Sequence, residues 1–336
     1  MAITKVAAAI TATGLRKSYG DQVVLDGIDL NIPEGSVFSL LGPNGAGKTT
    51  AVKILSTLTT ADAGTVTIAG HDLAGDPDGV RASIGVTGQF SAVDIYLNAE
   101  ENLRLMADLW HLDRRVGRQR CAELIEQFDL AEAARKPVGT YSGGMKRRLD
   151  LAMTLVGSPR IIFLDEPTTG LDPRVRRATW QMIRDRVAAG VTIFLTTQYL
   201  EEADQLADRI AVLDHGGIVA EGTAEELKRR VPGGSIVLGF ATVAALDEAA
   251  RTLGGPAIRD DDGLVLQIPS DGSAQSVQAV LNRLDSRSIQ NLSLHTPDLD
   301  DVFLALTGRS GTGTGDDTDT DTDTELHLDT DKKAQA

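Results

Sequence analysis

Short apolar runs alternate with stripes of three-and-four spacing along most of this chain, which predicts strands interleaved with helices. Ala9 to Tyr19 and Gln22 to Ile32 read as two strands joined at Gly20-Asp21, followed by a turn at Pro33-Glu34-Gly35. Val37 to Leu41, Gly64 to Ala69, Ile84 to Val86, Ile161 to Leu164 and Val191 to Leu195 read as further strands. The runs at Ile161 and Val191 are apolar throughout, as suits parallel strands covered on both faces. Helical spacing marks Ala51 to Leu58, Leu200 to Ala207 and Pro173 to Ala189, the last with proline in its first turn and Gly190 behind it. From about Asn98 to Ala134 the stripe runs through Leu103, Met106, Leu109 and Trp110, then Cys121, Leu124, Ile125 and Phe128. With a helix from Lys146 to about Val156, this forms a helical insert over about 95–156. Ile210 to Leu213 and Ile218 to Ala220 make a hairpin about His215-Gly216-Gly217, and Thr223 to Glu226 is a capping box.

Pro232-Gly233-Gly234 reads as a boundary. Beyond it come strand (Ile236 to Phe240), helix (Val243 to Leu253), strand (Leu264 to Ile268), helix (Ala274 to Leu284) and strand (Leu292 to His295). Asp298 can cap a last helix that contains Val302, Phe303 and Leu306. The expected class is α/β: a mainly parallel sheet with a helical insert over 1–232, and a small two-layer α/β accessory module over 233–308. Residues 309–336 are Gly/Thr and then Asp/Thr repeat with almost nothing to bury, and read as a disordered acidic tail. Alternating aspartates suggest calcium, but the glycine and glutamate of an EF-hand loop are missing.

Charge narrows the partners. The 336 residues carry a formal net charge of -15. The stretch from Asp316 onward holds 8 acids and 2 lysines, a net of -6 that leaves -9 on the rest. An acidic body argues against a nucleic-acid partner held by bulk charge. Cys121 is the only cysteine, so no internal disulfide forms, which fits a reducing compartment. No apolar run approaches the ~18 residues that span a bilayer. Lys5 with Val6 to Ala12 faintly resembles a signal peptide but leads to no clean cleavage site. A soluble, cytosolic chain is expected, with any membrane role exercised through a partner.

The chemistry centres on Gly42-Pro43-Asn44-Gly45-Ala46-Gly47-Lys48-Thr49-Thr50, which fits the phosphate-loop pattern G-x-x-x-x-G-K-[ST] between a strand and a helix. Gly45 and Gly47 let the backbone wrap closely round a phosphate, whose charge then meets amide hydrogens and the positive end of the helix. Lys48 is a compact charge within reach of the β- and γ-phosphates, and the Thr49 hydroxyl suits Mg²⁺. Ser142-Gly143-Gly144-Met145 opens another helix with free amides, a second anion site or an ordinary capped helix. Asp165 and Glu166 end the buried strand at its carboxyl end, where α/β folds place ligands. Asp165 is placed to serve Mg²⁺, and Glu166 to orient or deprotonate a water. An acidic turn before Pro167 is the plainer alternative.

This ordered set resembles the nucleotide-binding subunit of an ABC transporter, over about Thr11 to Val231. Gln89 sits where that family has its Q-loop. Tyr141-Ser142-Gly143-Gly144-Met145 resembles the signature L-S-G-G-Q, and Ser142 precedes Asp165 by 23 positions. Gly170-Leu171-Asp172 matches the D-loop. The resemblance implies a phosphate-loop ATPase cassette using ATP and Mg²⁺. It implies that Tyr19 stacks on adenine and that Lys48, Thr49 and Thr50 hold phosphates and metal with Asp165. Glu166 becomes the catalytic base, and Gln89 touches metal and water and reports to the membrane subunit. With one phosphate loop and one signature, the chain is expected to work as a homodimer, Ser142 and Gly144 acting in trans. Its partner is a separate multi-spanning permease, which places it peripherally on the cytoplasmic side of the cell membrane.

Tyr141 and Met145 depart from the signature, and Gln198 occupies the position of the switch histidine. Glutamine donates a hydrogen bond to a γ-phosphate but brings no charge, so slower or differently regulated hydrolysis is expected. Thr196-Thr197-Gln198-Tyr199-Leu200-Glu201-Glu202-Ala203-Asp204 and Leu299-Asp300-Asp301-Val302-Phe303-Leu304 are similar to the daunorubicin-resistance group of drug-export ATPases. This implies efflux of a hydrophobic drug or antibiotic. Lipid or polysaccharide export and a non-transport ABC ATPase are the alternatives; a paired cassette or basic arms would mark the last, and neither is present.

Overall fold

The computed structural model describes residues 7–88, 92–230, 234–254, 257–260, 264–270, 273–284, 288–295 and 297–307. The first hairpin, β1 (Ala8–Tyr19) and β2 (Gln22–Pro33), turns at Gly20-Asp21. β3 (Val37–Leu41) leads through the glycine loop into α1 (Lys48–Leu55). The chain then returns to the first hairpin with β4 (Ala63–Ile68) and β5 (His71–Asp72), completing an antiparallel sheet in the order β2-β1-β4-β5. Next come α2 (Pro77–Ser83) and β6 (Ile84–Thr87). The insert follows as α3 (Ala99–Leu109), α4 (Arg114–Gln127) and α5 (Gly143–Thr154). Then come β7 (Ile161–Asp165), α6 (Pro173–Ala188), β8 (Thr192–Thr197), α7 (Leu200–Leu206), β9 (Arg209–Asp214), β10 (Gly217–Gly222) and α8 (Ala224–Lys228).

The central sheet has the order β10-β9-β3-β8-β7-β6. Every pair from β9 to β6 is parallel, and β10 closes one edge as the antiparallel half of a hairpin. β3, β7 and β8 are buried at every position because both faces are covered. Alternate side chains go to opposite layers, as the period of a strand requires. Phe38, Leu40, Phe163 and Phe194 join α1 and the first sheet in one core. Val37, Ile162, Leu164, Ile193 and Leu195 join the helical insert and α6 in the other. The order β3-β8-β7 sets three strand ends side by side: the glycine loop, Thr196-Thr197-Gln198 and Asp165-Glu166.

The C-terminal stretch comprises β11 (Gly234–Phe240), α9 (Val243–Leu253), β12 (Ile258–Asp260), β13 (Val265–Ser270), α10 (Ala274–Leu281), β14 (Ile289–His295) and α11 (Leu299–Thr307). Its sheet, β12-β13-β11-β14, is wholly antiparallel and packs Ile236, Leu238, Phe240 and Leu266 against Leu246, Ala249 and Leu253 of α9. The capped last helix does not join that core. Leu299 and Val302 are buried with Leu41, Ala203, Ile210, Val212, Ala220 and Leu227, so α11 finishes a core of the central sheet.

Three expectations shift. α1 and α5 begin three residues before their apolar stripes do, at Lys48 and Gly143, because glycines and a lysine show no periodicity. α2 buries only Val80, so its signals are the Asp76 cap and Pro77 rather than a stripe. β12 is exposed throughout and β5 is two residues long, so neither alternates visibly. The boundary at Pro232-Gly233 and the tail from 309 to 336 lie outside the described residues.

Candidate functional site

The loop that leaves β3 is shaped by its glycines. Gly47, the residue before α1, has a φ of 112°. A Cβ there would sit 2.7 Å from the Val24 carbonyl and 2.8 Å from Leu25 Cδ2, so only glycine lets β2 press against the turn. Lys48 follows, and only 4% of it is exposed. Its Nζ donates to the carbonyls of Gly42 (2.8 Å) and Pro43 (3.0 Å) and lies 3.5 Å from Glu166 Oε1. Burial pushes the ammonium pKa down, against the opposing charge and hydrogen bond of Glu166. Thr49 and Thr50 stand half-buried in the first turn of α1.

The carboxylates are held by the neighbouring strand. Asp165 is the buried last residue of β7, and the Thr196 hydroxyl at the end of β8 donates to its Oδ1. The Glu166 amide donates to the Thr196 carbonyl (3.1 Å) and to Thr196 Oγ1 (3.2 Å). Glu166 adopts a φ of 48°, a left-handed backbone uncommon outside glycine. This turn aims its side chain back across the strand ends at Lys48, while Thr169 Oγ1 donates to Oε2 at 3.2 Å. A cavity of about 300 Å³ brings these groups together, lined by Tyr19, Val24, Asn44, Gly45, Gly47, Lys48, Thr49, Thr50 and Glu166. The Tyr19 ring is half exposed at its rim, as a platform for a flat ligand must be.

Gly42, Pro43 and Ala46 shape the loop without lining the cavity, and Asp165 stands behind it. Gln198 follows β8, half-buried and outside the lining. Ser142, Gly143 and Gly144 begin α5 elsewhere on the surface: Ser142 Oγ accepts from the Met145 amide at 3.3 Å, and none of the three reaches the cavity. Gln89 lies outside the described residues. Sequence reasoning missed Thr196 as the residue that fixes both carboxylate positions; its place in a Thr-Thr-Gln run after a buried strand is the signal that was there. It also missed Val24, whose proximity comes only from the packing of β2.

A larger cleft of about 550 Å³ between α3 and α4 mixes Glu100, Asp108 and Asp113 with Arg104, Arg114 and Arg118. Burial raises the pKa of the Cys121 thiol in its floor, the opposite of what a nucleophile needs.

Comparison with known proteins gives this geometry relatives. A family model described as "ABC transporter" matches residues 25–169. The chain is 48% identical over 303 residues to the daunorubicin resistance ATP-binding protein DrrA3 of Streptomyces coeruleorubidus, covering 89% of this chain and 96% of the relative. It is 48% identical over 311 residues to the doxorubicin resistance ATP-binding protein DrrA of Mycobacterium tuberculosis, covering 89% and 93%. Among solved structures, the ATP-binding subunit of an ABC transporter superposes with a TM-score of 0.60 at 28% identity, covering 66% of this chain and 92% of that one.

Proposed function

The chain belongs to the ABC transporter family of ATP-binding proteins, and from that premise we propose that the cavity at the glycine loop binds MgATP and that turnover powers efflux of a hydrophobic drug-like compound through a separate permease. One observation carries the site: Lys48 and Glu166 face each other at 3.5 Å across a cavity that Tyr19 and Thr49 also line. In our reading the phosphates draw Lys48 from the Gly42 and Pro43 carbonyls onto their own oxygens, and the loop amides complete the cradle. Glu166, released from Lys48, accepts a hydrogen bond from the attacking water and then its proton. Thr49 and Asp165 are hard oxygen donors of the kind Mg²⁺ takes, and Gln89 is assigned beside them. The metal supplies charge neutralisation on the phosphate oxygens when bound. Tyr19 stacks on the base, Thr50 adds a hydroxyl to the phosphates, and Gln198 donates to the terminal phosphate.

Ser142, Gly143 and Gly144 serve the ATP of a second copy, which makes the working form a homodimer. The exposed α5 start supports this: Ser142 and Gly143 face solvent and do not reach their own chain's cavity. We assign residues 1–232 to the ATP-binding domain with its insert at about 95–156, 233–308 to an accessory domain whose last helix, α11, packs back on the ATP-binding domain, and 309–336 to a tail. Among the described residues no helix is long and apolar enough to cross a membrane. Attachment at the cytoplasmic face of the cell membrane is therefore assigned to the permease. The drug class rests on the resistance named for the relatives.

A pull-down from native membranes in mild detergent tests transport. A multi-spanning permease in near-equal amount is expected; soluble partners alone, with ATPase activity intact, would overturn it. Glu166→Gln tests the site. It is expected to retain ATP and lose about 10²–10⁴-fold in turnover, the usual range for a general base.

A further inference from the structure

The aromatic platform at the rim of the cavity has a support that the roles above leave unused. Tyr19 is the last residue of β1, and half of it is exposed. A ring so placed has rotamer freedom that a stacked ligand must take away, which weakens binding. Lys17 stands two positions earlier on the same strand. Its Nζ lies over the Tyr19 ring, 5.4 Å from the centroid, within the range of a cation–π contact. Only 11% of the Lys17 side chain is exposed, so the ring face that it covers is the one turned toward the protein. The opposite face stays open to a ligand.

The ammonium is itself held in place. Nζ donates to Asp62 Oδ1 at 2.7 Å. The other oxygen, Oδ2, accepts from the Ser18 amide at 2.6 Å, and the Asp62 amide donates to the Arg16 carbonyl at 2.9 Å. Three successive residues of β1 are thus bound to Asp62 immediately ahead of Tyr19. The Lys17 bond first, then the Ser18 amide, keeps the Asp62 carboxyl below its ordinary pKa. Asp62 comes from elsewhere in the chain, as the last residue of the connection from α1 to β4. The helix that Lys48 opens is therefore tied, beyond its far end, to the strand that carries the platform. Asp62 already grips the backbone of β1 at Arg16 and Ser18 without the lysine. What Lys17 adds is a cation behind the tyrosine.

We propose that Lys17, anchored by Asp62, is a positioning residue for the nucleotide base: it fixes the Tyr19 ring so that the base meets a surface already ordered. Lys17 does not line the cavity, so it acts through Tyr19. Its contribution falls on the base and leaves the phosphates to the glycine loop. The inference rests on the site reading given above, in which Tyr19 stacks on the base, and Tyr19→Leu separates the two. If Tyr19→Leu binds MgADP as the parent does, that reading has failed. If Tyr19→Leu weakens MgADP and Lys17→Met does not, only this inference has failed.

The test titrates the full chain with two probes by calorimetry, MgADP and magnesium pyrophosphate, the second lacking a base. Lys17→Met is expected to weaken MgADP about fivefold, as loss of a partly desolvated cation–π contact predicts, and to keep pyrophosphate within about twofold. Lys17→Arg keeps a cation for the ring and is expected to bind MgADP within about twofold of the parent. Asp62→Asn frees the ammonium and should weaken MgADP in the same direction as Lys17→Met, by less. The double Lys17→Met/Tyr19→Leu should bind MgADP no more weakly than Tyr19→Leu alone, because the lysine has no ring to hold. With saturating MgATP, the kcat of Lys17→Met should stay within about twofold of the parent while KM rises. Equal losses for the two probes would make Lys17 a support of the fold alone and overturn the proposal, as would multiplying losses in the double. If Lys17→Met does not fold, Asp62→Asn decides, and an unchanged MgADP affinity or an equal loss for pyrophosphate overturns it.

Discussion

Two helices of this chain start ready for an anion, and they differ in almost everything else. α1 starts inside a cavity, with its lysine buried and three protein oxygens within 3.5 Å of its Nζ. α5 starts at the surface, with Ser142 and Gly143 exposed and one capping bond from Met145. A Cβ on Gly143 would meet nothing within 4 Å, whereas one on Gly47 would strike β2. Gly47 at α1 is required by the chain's own packing. At α5 Gly143 faces open space, while a Cβ on Gly144 would sit 3.0 Å from Val175 Cγ2. In the reading proposed above, one helix start is a finished site and the other is half of one.

The sharpest way to break this contrast is to disable each half separately. Lys48→Ala is expected to lose about 10²–10³-fold or more in turnover, since a positioned charge is removed from the reacting phosphates. Ser142→Arg, which blocks only the exposed start, should be as inactive while still binding ATP. Mixing the two variants in equal amounts should restore about a quarter of wild-type turnover, because random pairing gives half mixed dimers with one intact site each. No recovery in ATPase assays of the mixture would show that α5 does not act in trans.

Gln198→Ala probes the strand end between the two carboxylates and the loop. A lost hydrogen bond to a charged group predicts about a tenfold lower kcat. Unchanged turnover would remove Gln198 from the site, and Gln198→His with raised turnover would show what the missing charge costs.

Leu299→Ala undermines the finished half from below, since Leu299 is buried against Leu41, the last residue of β3. A loss of about 2–5 kcal/mol in denaturant unfolding is expected for such a cavity. Hydrogen exchange should quicken across 37–48 before it does across 142–154, and the reverse order would count against this packing.

The smallest effect is at Asp301. Its carboxylate accepts from the Asp298 amide and pairs with His295 at 2.9 Å, which together hold its pKa below 3.8, Asp298 contributing most. A lowered carboxyl pKa adds stability that is complete above the ordinary value and disappears as pH falls through the folded one. The Tm gap between wild type and Asp301→Asn should therefore be constant above the ordinary carboxylate range and close as pH falls below it. A gap that widens in acid would refute the assignment.

Most of the fold was legible because its signals are local. The glycine loop, the two buried strands and the Thr223 capping box depend on residues within a few positions of one another. The helical insert announced itself by its stripe. The active cavity was readable only as a set of motifs; that Lys48 meets Glu166 depends on β8 lying between β3 and β7, a fact of sheet order. Glu201 and Glu202 are adjacent acids in one helix, yet Glu201 is exposed and Glu202 is buried, a difference that only packing decides. The stripe Val302, Phe303 and Leu306 said that the last helix is covered. It did not say by what, and adjacency in sequence pointed to the wrong sheet.

That misdirection bears on how the protein is made. α11 is the last described element to leave the ribosome, and it closes the core around β9, β10, α7 and α8. Until it has been synthesised, the nascent cassette carries an uncovered apolar strip beside the strand that feeds the phosphate loop. Some sixty residues of β11 to β14 with their helices, Gly234 to His295, must pass first. Completion of that core thus waits until α11 has been translated, and a chain cut short after α8 would be born sticky rather than merely shortened.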